Sequence, residues 1–227
     1  RTIQFHPGTT YEDFVGGLGP AETSGEADLG FRFKPQKGAL LRAAENALDV
    51  APKPYLLHVD EINRADLANV LGETIFLLEP GREHDATVEL AHDFGAPFYD
   101  RLRLPDNLHL LGTMNTADRS IAALDVAIRR RFAFASLWPQ IEVVQENSID
   151  LMARKFRELQ SIFVNHAPDD AFPLLPGHSY FLADHRESAV RKLKSELAPL
   201  LEDYLSRGYV AGFEGEIRSY VQSIESL

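Results

Sequence analysis

The chain contains no cysteine, and it has no long apolar run. Without cysteine there can be no disulfide bond and no thiolate ligand for a metal ion. No stretch approaches the ~18–20 apolar residues that span a bilayer, and the first residues read as a strand and a turn rather than as a signal peptide. We therefore expect a cytoplasmic protein that does not enter a membrane.

Positive charge is also scarce. The 23 Lys and Arg residues are outnumbered by 34 Asp and Glu residues, which gives a formal net charge of −11. A surface that binds DNA needs clustered Lys and Arg, so if the intact protein reads DNA we expect another domain, or a local basic loop, to do so. The length of 227 residues suits one medium domain, or a larger domain with a small one.

A third absence concerns phosphate binding. The sequence has no match to G-x-x-x-x-G-K-[ST], the loop whose backbone N–H groups and lysine hold phosphates. The Gly-rich segment GGLGP at residues 16–20 lacks both the lysine and the hydroxyl residue.

Apolar strands and amphipathic helices alternate through the first 140 residues, a pattern typical of an α/β fold with a parallel sheet. The pattern predicts a loop at 16–30 and a hairpin that joins 87–90 to 99–104. It predicts strands at 2–6, 55–59, 108–113 and 132–137, and helices at 11–15, 38–48, 65–78 and 121–131.

After Pro139 the pattern becomes wholly helical. Apolar residues at helical spacing predict helices at 149–163, at 190–201 with a bend near Pro199, and at 217–224. We therefore predict two domains, an α/β core at 1–140 and a small helical lid at 141–227.

Two of the predicted strands end at polar side chains that suit nucleotide chemistry. Asp60 and Glu61 can place one carboxylate on Mg²⁺ and the other beside an attacking water, and Asn115 can orient that water. The alternative is a solvated acidic turn that caps the next helix, with Asn115 in an Asx-turn.

Three consecutive arginines, Arg129, Arg130 and Arg131, close the predicted helix at 121–131. Side chains that are adjacent on a helix point ~100° apart, so the three cannot all reach one phosphate. One of them can offer its guanidinium to a phosphate held by a neighbouring subunit. The alternative is a solvated basic turn that offsets the helix dipole.

Five segments together resemble the AAA+ NTPase domain of the McrB family, the GTP-driven motor of modification-dependent DNA restriction. They occur in the order found in the family and span most of the chain. The NTADRS motif is much more specific than a generic AAA+ pattern. The segments are FHPGTTYEDFVGGLGP (5–20), HVDEINR (58–64), GTMNTADRS (112–120), AIRRRF (127–132) and PGHSYF (176–181).

The resemblance implies an AAA+ sheet with the strand order fifth, first, fourth, third, second, followed by a helical lid. It places the first strand and the phosphate loop ahead of residue 1. It implies that Asp60 holds Mg²⁺ through water, that Glu61 polarises the attacking water and that Asn115 acts as a sensor. Asp118 and Arg119 complete the signature, although Asp118 can equally cap a helix.

The resemblance also implies roles for residues beyond the strand ends. Arg130 is the first candidate for an arginine finger that acts on a neighbouring subunit, and Arg131 is the second. Asn63 and Arg64 would face the nucleotide or a subunit interface. His178 would lie near the nucleotide in the lid; the alternative is a hydrogen-bonded structural histidine.

The implied activity is Mg²⁺-dependent hydrolysis of GTP or ATP by a homo-oligomeric ring, which we expect to be a hexamer. The implied partners are a McrC-like endonuclease subunit and methylated DNA. The 227 residues alone are expected to be inactive, because they lack a phosphate loop. Two alternatives remain open: a MoxR-like AAA+ ATPase that remodels a protein partner, and a non-catalytic assembly fragment.

Overall fold

The structure, a computed structural model, describes residues 1–21, 32–81, 83, 85–116 and 124–227. The chain forms two compact units, Arg1–Phe134 and Ala135–Leu227, whereas the sequence analysis placed the domain boundary after residue 140. Every helix among the described residues is too short or too polar to pass through a lipid bilayer.

The first unit combines short strands and helices. Its strands are β1 (Thr2–Gln4), β2 (Gly16–Pro20), β3 (Phe33–Lys37), β4 (Tyr55–Asp60), β5 (Val88–Glu89), β6 (Arg101–Leu102) and β7 (Leu108–Gly112). Its α-helices are α1 (Tyr11–Phe14), α2 (Ala39–Val50), α3 (Leu67–Leu71) and α4 (Val126–Arg129).

The central sheet is parallel and has the order β1-β4-β7. In its register Thr2 lies beside His58, and His58 lies beside Leu111. This is the order that the resemblance implies for the second, third and fourth AAA+ strands. The predicted α/β class with a parallel sheet is therefore confirmed.

One face of this sheet forms the core of the first unit. Leu57 and Val59 of β4 are fully buried there, together with Leu41 of α2. Side chains alternate between the faces of a strand, so Leu56 and Leu111 lie on the other face, where they are 47% and 49% exposed. Parallel sheets are normally covered on both faces; among the described residues this second face stays open.

Two antiparallel hairpins flank the parallel sheet. The pairing of β5 with β6 confirms the hairpin that the sequence predicts. The pairing of β2 with β3 was not predicted, because the loop expected at 16–30 includes β2. Glycine and proline, which make up most of β2, are disfavoured in strands by propensity.

The helix predicted at 65–78 is interrupted. The chain forms α3 and then continues as a 3₁₀ helix, Gly72–Leu78. Gly72 has φ of +50°, and a Cβ added there would lie 2.9 Å from the ring of Tyr11. Only glycine tolerates both this φ and the close approach of the Tyr11 ring, and the α-helix ends here.

The end of the first unit departs from the predicted pattern. The helix expected at 121–131 is present as α4, with Asp125 accepting a hydrogen bond of 2.8 Å from the backbone N of Ala127. Residues 117–123 lie outside the described residues. The strand predicted at 132–137 is wrong: these residues form no strand, and Leu137 is 93% exposed.

The second unit is helical, as the sequence predicts. It contains α5 (Ile141–Asn147), α6 (Asp150–His166), α7 (Arg186–Lys192), α8 (Ala198–Ser206) and α9 (Glu214–Glu225). A π-helical turn, Leu193–Leu197, joins α7 to α8 just before Pro199, where a bend was expected. Phe163 and Phe213 pack edge to face in its core, with ring centroids 5.2 Å apart.

Candidate functional site

The ends of β4 and β7 are joined into one surface. The backbone N of Thr113 donates to the carbonyl of Val59 at 2.9 Å, and the backbone N of Ile62 donates to the carbonyl of Thr113 at 2.9 Å. The carboxyl ends of parallel strands are where open α/β sheets bind ligands. The structure therefore brings Asp60, Glu61 and Asn115 to the same edge.

Asp60 is held from both neighbouring strands. The Thr113 hydroxyl donates to Asp60 Oδ1 at 2.6 Å, and Gln4 Nε2 approaches Asp60 Oδ2 at 3.4 Å. The backbone N of Phe5 also donates to the Asp60 carbonyl at 2.9 Å. The carboxylate at the end of β4 is thus fixed in direction by the sheet itself.

Glu61 is in a strained conformation. Its φ of 53° and ψ of 44° place a non-glycine residue in the left-handed region, which costs about 1–3 kcal/mol and is frequent at functional sites. Glu61 Oε2 is buried and accepts no hydrogen bond from the described residues. Arg64 Nε lies 3.3 Å away as a charge neighbour, without the alignment of a hydrogen bond.

Asn63 connects the two strand ends. Its Nδ2 donates to the carbonyl of Asn115 at 3.4 Å, while its Oδ1 is buried without a hydrogen-bond donor among the described residues. Asn115 itself is exposed at this edge. Asn63 thus links the segment after β4 to the segment after β7, and its buried Oδ1 lacks a hydrogen-bond donor among the described residues.

The Asp60 carboxylate at this edge is suited to binding a magnesium ion. Mg²⁺ binds through one or two carboxylates, keeps several waters and takes its other ligands from substrate phosphates. Among the described residues, no three His, Cys, Asp or Glu side chains cluster into a cage of protein ligands. Asp60 offers a carboxylate of the required kind, so the edge suits a magnesium ion that arrives with a phosphorylated ligand.

Two predicted residues cannot be placed. Asp118 and Arg119 lie outside the described residues, and their roles stay predictions.

The three arginines at the end of α4 differ sharply in environment. The Arg129 guanidinium carbon lies 5.7 Å from the centroid of the Phe134 ring. The Arg130 side chain is 63% exposed, with Nε 3.8 Å from Glu79 Oε1. The Arg131 side chain is only 4% exposed. Of the two predicted finger residues, Arg130 is the one that reaches solvent.

Arg131 is engaged within its own unit. Its Nε donates to the carbonyl of Ile75 at 3.0 Å, its Nη1 donates to the carbonyl of Ala127 at 2.6 Å, and its Nη2 lies 2.5 Å from Glu79 Oε2. To reach another subunit, Arg131 would have to leave all three partners. These contacts weigh against the finger role of Arg131, which stays a prediction.

His178 belongs to the second unit. It begins the short 3₁₀ helix His178–Phe181 and is half-buried. Its Nδ1 is buried and has no hydrogen-bond partner among the described residues. The nucleotide-binding role of His178 stays a prediction.

Two residues of the site were missed in the sequence. Thr113 and Gln4 contact Asp60, yet the sequence motifs assign a role to neither. The signal that would have found them is geometric: residues 4, 60 and 113 fall on the same face once strand alternation and a parallel register are assumed.

Comparison with known proteins gives three matches. Residues 1–132 match the family described as AAA domain (dynein-related subfamily). The type IV methyl-directed restriction enzyme EcoKMcrB subunit of Escherichia coli (strain K12) is 31% identical over 221 residues, which cover 89% of this chain and 46% of that protein. The type II restriction enzyme BsuMI component YdiS of Bacillus subtilis (strain 168) is 29% identical over 161 residues, covering 60% of this chain and 47% of that protein. The chain thus spans about half the length of the curated relatives it matches.

Proposed function

Because the chain belongs to the AAA domain family, in its dynein-related subfamily, we propose that it is the nucleoside-triphosphatase module of a restriction system. The convergence of Asp60, Glu61 and Asn115 at one edge of the parallel sheet carries this proposal. Two matching relatives from restriction systems favour this role over that of a MoxR-like remodelling ATPase.

The chemistry would be hydrolysis of GTP or ATP by positioning and charge stabilisation, without a covalent intermediate. Bound Mg²⁺ would neutralise charge on the phosphate oxygens. Asp60 would hold a water of that ion, Glu61 would accept a proton from the attacking water, and Asn115 would orient the same water. The left-handed backbone of Glu61, a conformation that is frequent at functional sites, supports this assignment.

The phosphates themselves require a further element, because the 227 residues contain no G-x-x-x-x-G-K-[ST] loop. We propose that a segment outside these residues supplies that loop. Arg130 would serve the nucleotide of a neighbouring subunit in a ring, most simply a hexamer, and its exposure supports this role.

The proposed partners follow from charge and likeness. A net charge of −11 disfavours direct binding to DNA, so another domain would read methylated DNA. The likeness to the EcoKMcrB subunit supports a McrC-like endonuclease subunit as the protein partner.

The decisive experiment is Glu61→Gln in the full-length protein. The amide keeps the size of the side chain but cannot accept the proton, so turnover should fall by ~10²-fold or more while nucleotide binding by calorimetry stays unchanged. The matched control is Glu89→Gln, on the separate β5–β6 hairpin. Normal turnover in Glu61→Gln would refute the assigned role.

A further inference from the structure

We propose that the Thr113 hydroxyl is a positioning group that fixes the Asp60 carboxylate for magnesium binding. The inference rests on the proposed function, because it concerns the metal that the nucleotide brings. It starts from the shortest side-chain contact of Asp60, the 2.6 Å hydrogen bond from Thr113 Oγ1 to Oδ1. Hydrogen bonds of this length to an ionised acceptor are the strong class.

The backbone holds this hydroxyl in place. The N–H of Thr113 donates to the carbonyl of Val59 and its carbonyl accepts from Ile62, both at 2.9 Å. The residue is therefore tied to both sides of Asp60 along the chain. Threonine is β-branched and restricted at χ1, so its hydroxyl has few positions on this backbone and holds the carboxylate through the 2.6 Å hydrogen bond.

The hydroxyl also has a single proton to give. If that proton goes to Asp60, Thr113 Oγ1 can only accept from the other polar atom near it, His58 Nε2 at 3.5 Å. His58 lies two residues before Asp60 on the same face of β4. The distance of 2.6 Å to Asp60 Oδ1, against 3.5 Å to His58 Nε2, favours Asp60 as the acceptor of that proton.

The two oxygens of Asp60 are held unequally. Oδ1 has the 2.6 Å bond from Thr113, whereas Oδ2 has only the 3.4 Å contact from Gln4 Nε2. The weaker contact is the one that a metal-bound water can displace. Thr113 thus anchors one oxygen and leaves the other for the ion, which preorganises the carboxylate in the way that outer-shell partners preorganise metal ligands.

The test compares Thr113→Val with Thr113→Ser in the full-length protein. Valine keeps the branched shape and removes the hydroxyl, and serine keeps the hydroxyl. The control is Thr2→Val, which removes a hydroxyl from the same open face but at a position paired with His58. Thermal melting of each variant verifies that the fold is retained.

The first readout is the affinity for Mn²⁺, measured by electron paramagnetic resonance with a non-hydrolysable nucleotide analogue bound. Thr113→Val should weaken Mn²⁺ binding ~10-fold or more, the usual effect of losing an outer-shell partner. Thr113→Ser should restore the affinity to within about twofold of the wild type, while Thr2→Val should leave it unchanged. Affinity for the analogue in EDTA should be the same in all four proteins.

The second readout is the Mg²⁺ concentration that gives half-maximal turnover, which should rise in parallel for Thr113→Val. The inference would be overturned if Thr113→Val and the wild type bound Mn²⁺ with equal affinity. It would also be overturned if Thr113→Ser and Thr113→Val lost affinity equally. In either case, turnover by the wild-type protein would leave the proposed function intact. A wild-type protein that neither binds nor hydrolyses nucleotide would refute both.

Discussion

Arg131 and Glu79 form the tightest ion pair at the end of the first unit, with Nη2 of the arginine 2.5 Å from Oε2 of the glutamate. The same guanidinium donates to the carbonyl of Ile75, within the 3₁₀ helix Gly72–Leu78. Arg131 therefore ties α4 to that helix. Its neighbour Arg130 has a side chain that is 63% exposed, so the two adjacent arginines lie in different environments.

Replacing Arg131 with alanine should lower the free energy of unfolding of the first unit by about 2 kcal/mol. Loss of one partner from a fully buried pair costs ~3–5 kcal/mol; the smaller value reflects the partial exposure of Glu79. Urea unfolding measures the change. The control is Arg129→Ala, whose ring contact with Phe134 is worth ~0.5–1 kcal/mol. Equal losses in the two variants would contradict the assigned packing role.

Replacing Arg130 with alanine should instead leave stability unchanged and reduce assembly-stimulated hydrolysis ~10³-fold. Mixing variants sharpens the test. Glu61→Gln subunits keep the finger and lack the base, whereas Arg130→Ala subunits keep the base and lack the finger. Mixed assemblies should recover activity that neither variant has alone. An Arg130→Ala protein with the wild-type rate would show that Arg130 is not the finger.

Replacing Gly72 with alanine should destabilise the first unit by more than the same change at Gly81. Both glycines have positive φ, +50° and +77°, and Gly72 also has ψ of −136°, which lies outside the left-handed α region where an alanine costs ~1–2 kcal/mol. At Gly72 the added Cβ would also meet the Tyr11 ring at 2.9 Å, whereas no described atom lies within 4 Å of a Cβ at Gly81. Denaturant unfolding of both variants measures the difference in stability, and equal losses would contradict the prediction.

The hydrogen bond from Tyr11 to Glu73, 2.5 Å long, predicts a loss of stability at alkaline pH. Burial raises the pKa of the Tyr11 hydroxyl above its usual value near 10, and the bond to Glu73 raises the pKa further. The folded chain keeps a proton that the unfolded chain releases, so the contribution is full below pH ~10 and is lost as the pH rises toward the folded pKa.

Tyr11→Phe tests this contribution. The variant should lose about 1.5–3 kcal/mol at pH 8, the value of a hydrogen bond to a charged group, and its stability should fall less steeply than that of the wild type above pH 10. Urea midpoints at pH 8 and pH 11 give both quantities. Tyr204→Phe in the second unit should flatten the pH dependence in the same way, because burial also raises the pKa of Tyr204, to about 12. Parallel pH slopes for Tyr11→Phe and the wild type would contradict the prediction.

The sequence predicted the parts of the fold that local pattern determines. The apolar run of β4 and the helical spacing of α2 mark both elements directly. It failed where a partner decides the structure: β2 is a strand because β3 pairs with it, despite its glycines and proline. Residues 132–137 have strand-forming composition, but no described strand pairs with them.

The candidate site divides in the same way. Convergence of Glu61 and Asn115 was predictable, because residues that follow neighbouring parallel strands meet at one edge, and the comparison with the EcoKMcrB subunit confirms the resemblance on which it was based. The hydrogen bond from Thr113 to Asp60 depends on the register between β4 and β7, which the motifs do not specify. The burial of Arg131 rather than Arg130 depends on the rotation of α4 toward Glu79.

The uncovered side of the parallel sheet has a practical consequence. Among the described residues, Leu56 and Leu111 lie half-exposed on this face, and exposed apolar surface favours association. These 227 residues alone should self-associate as the protein concentration rises, and light scattering should increase with that concentration.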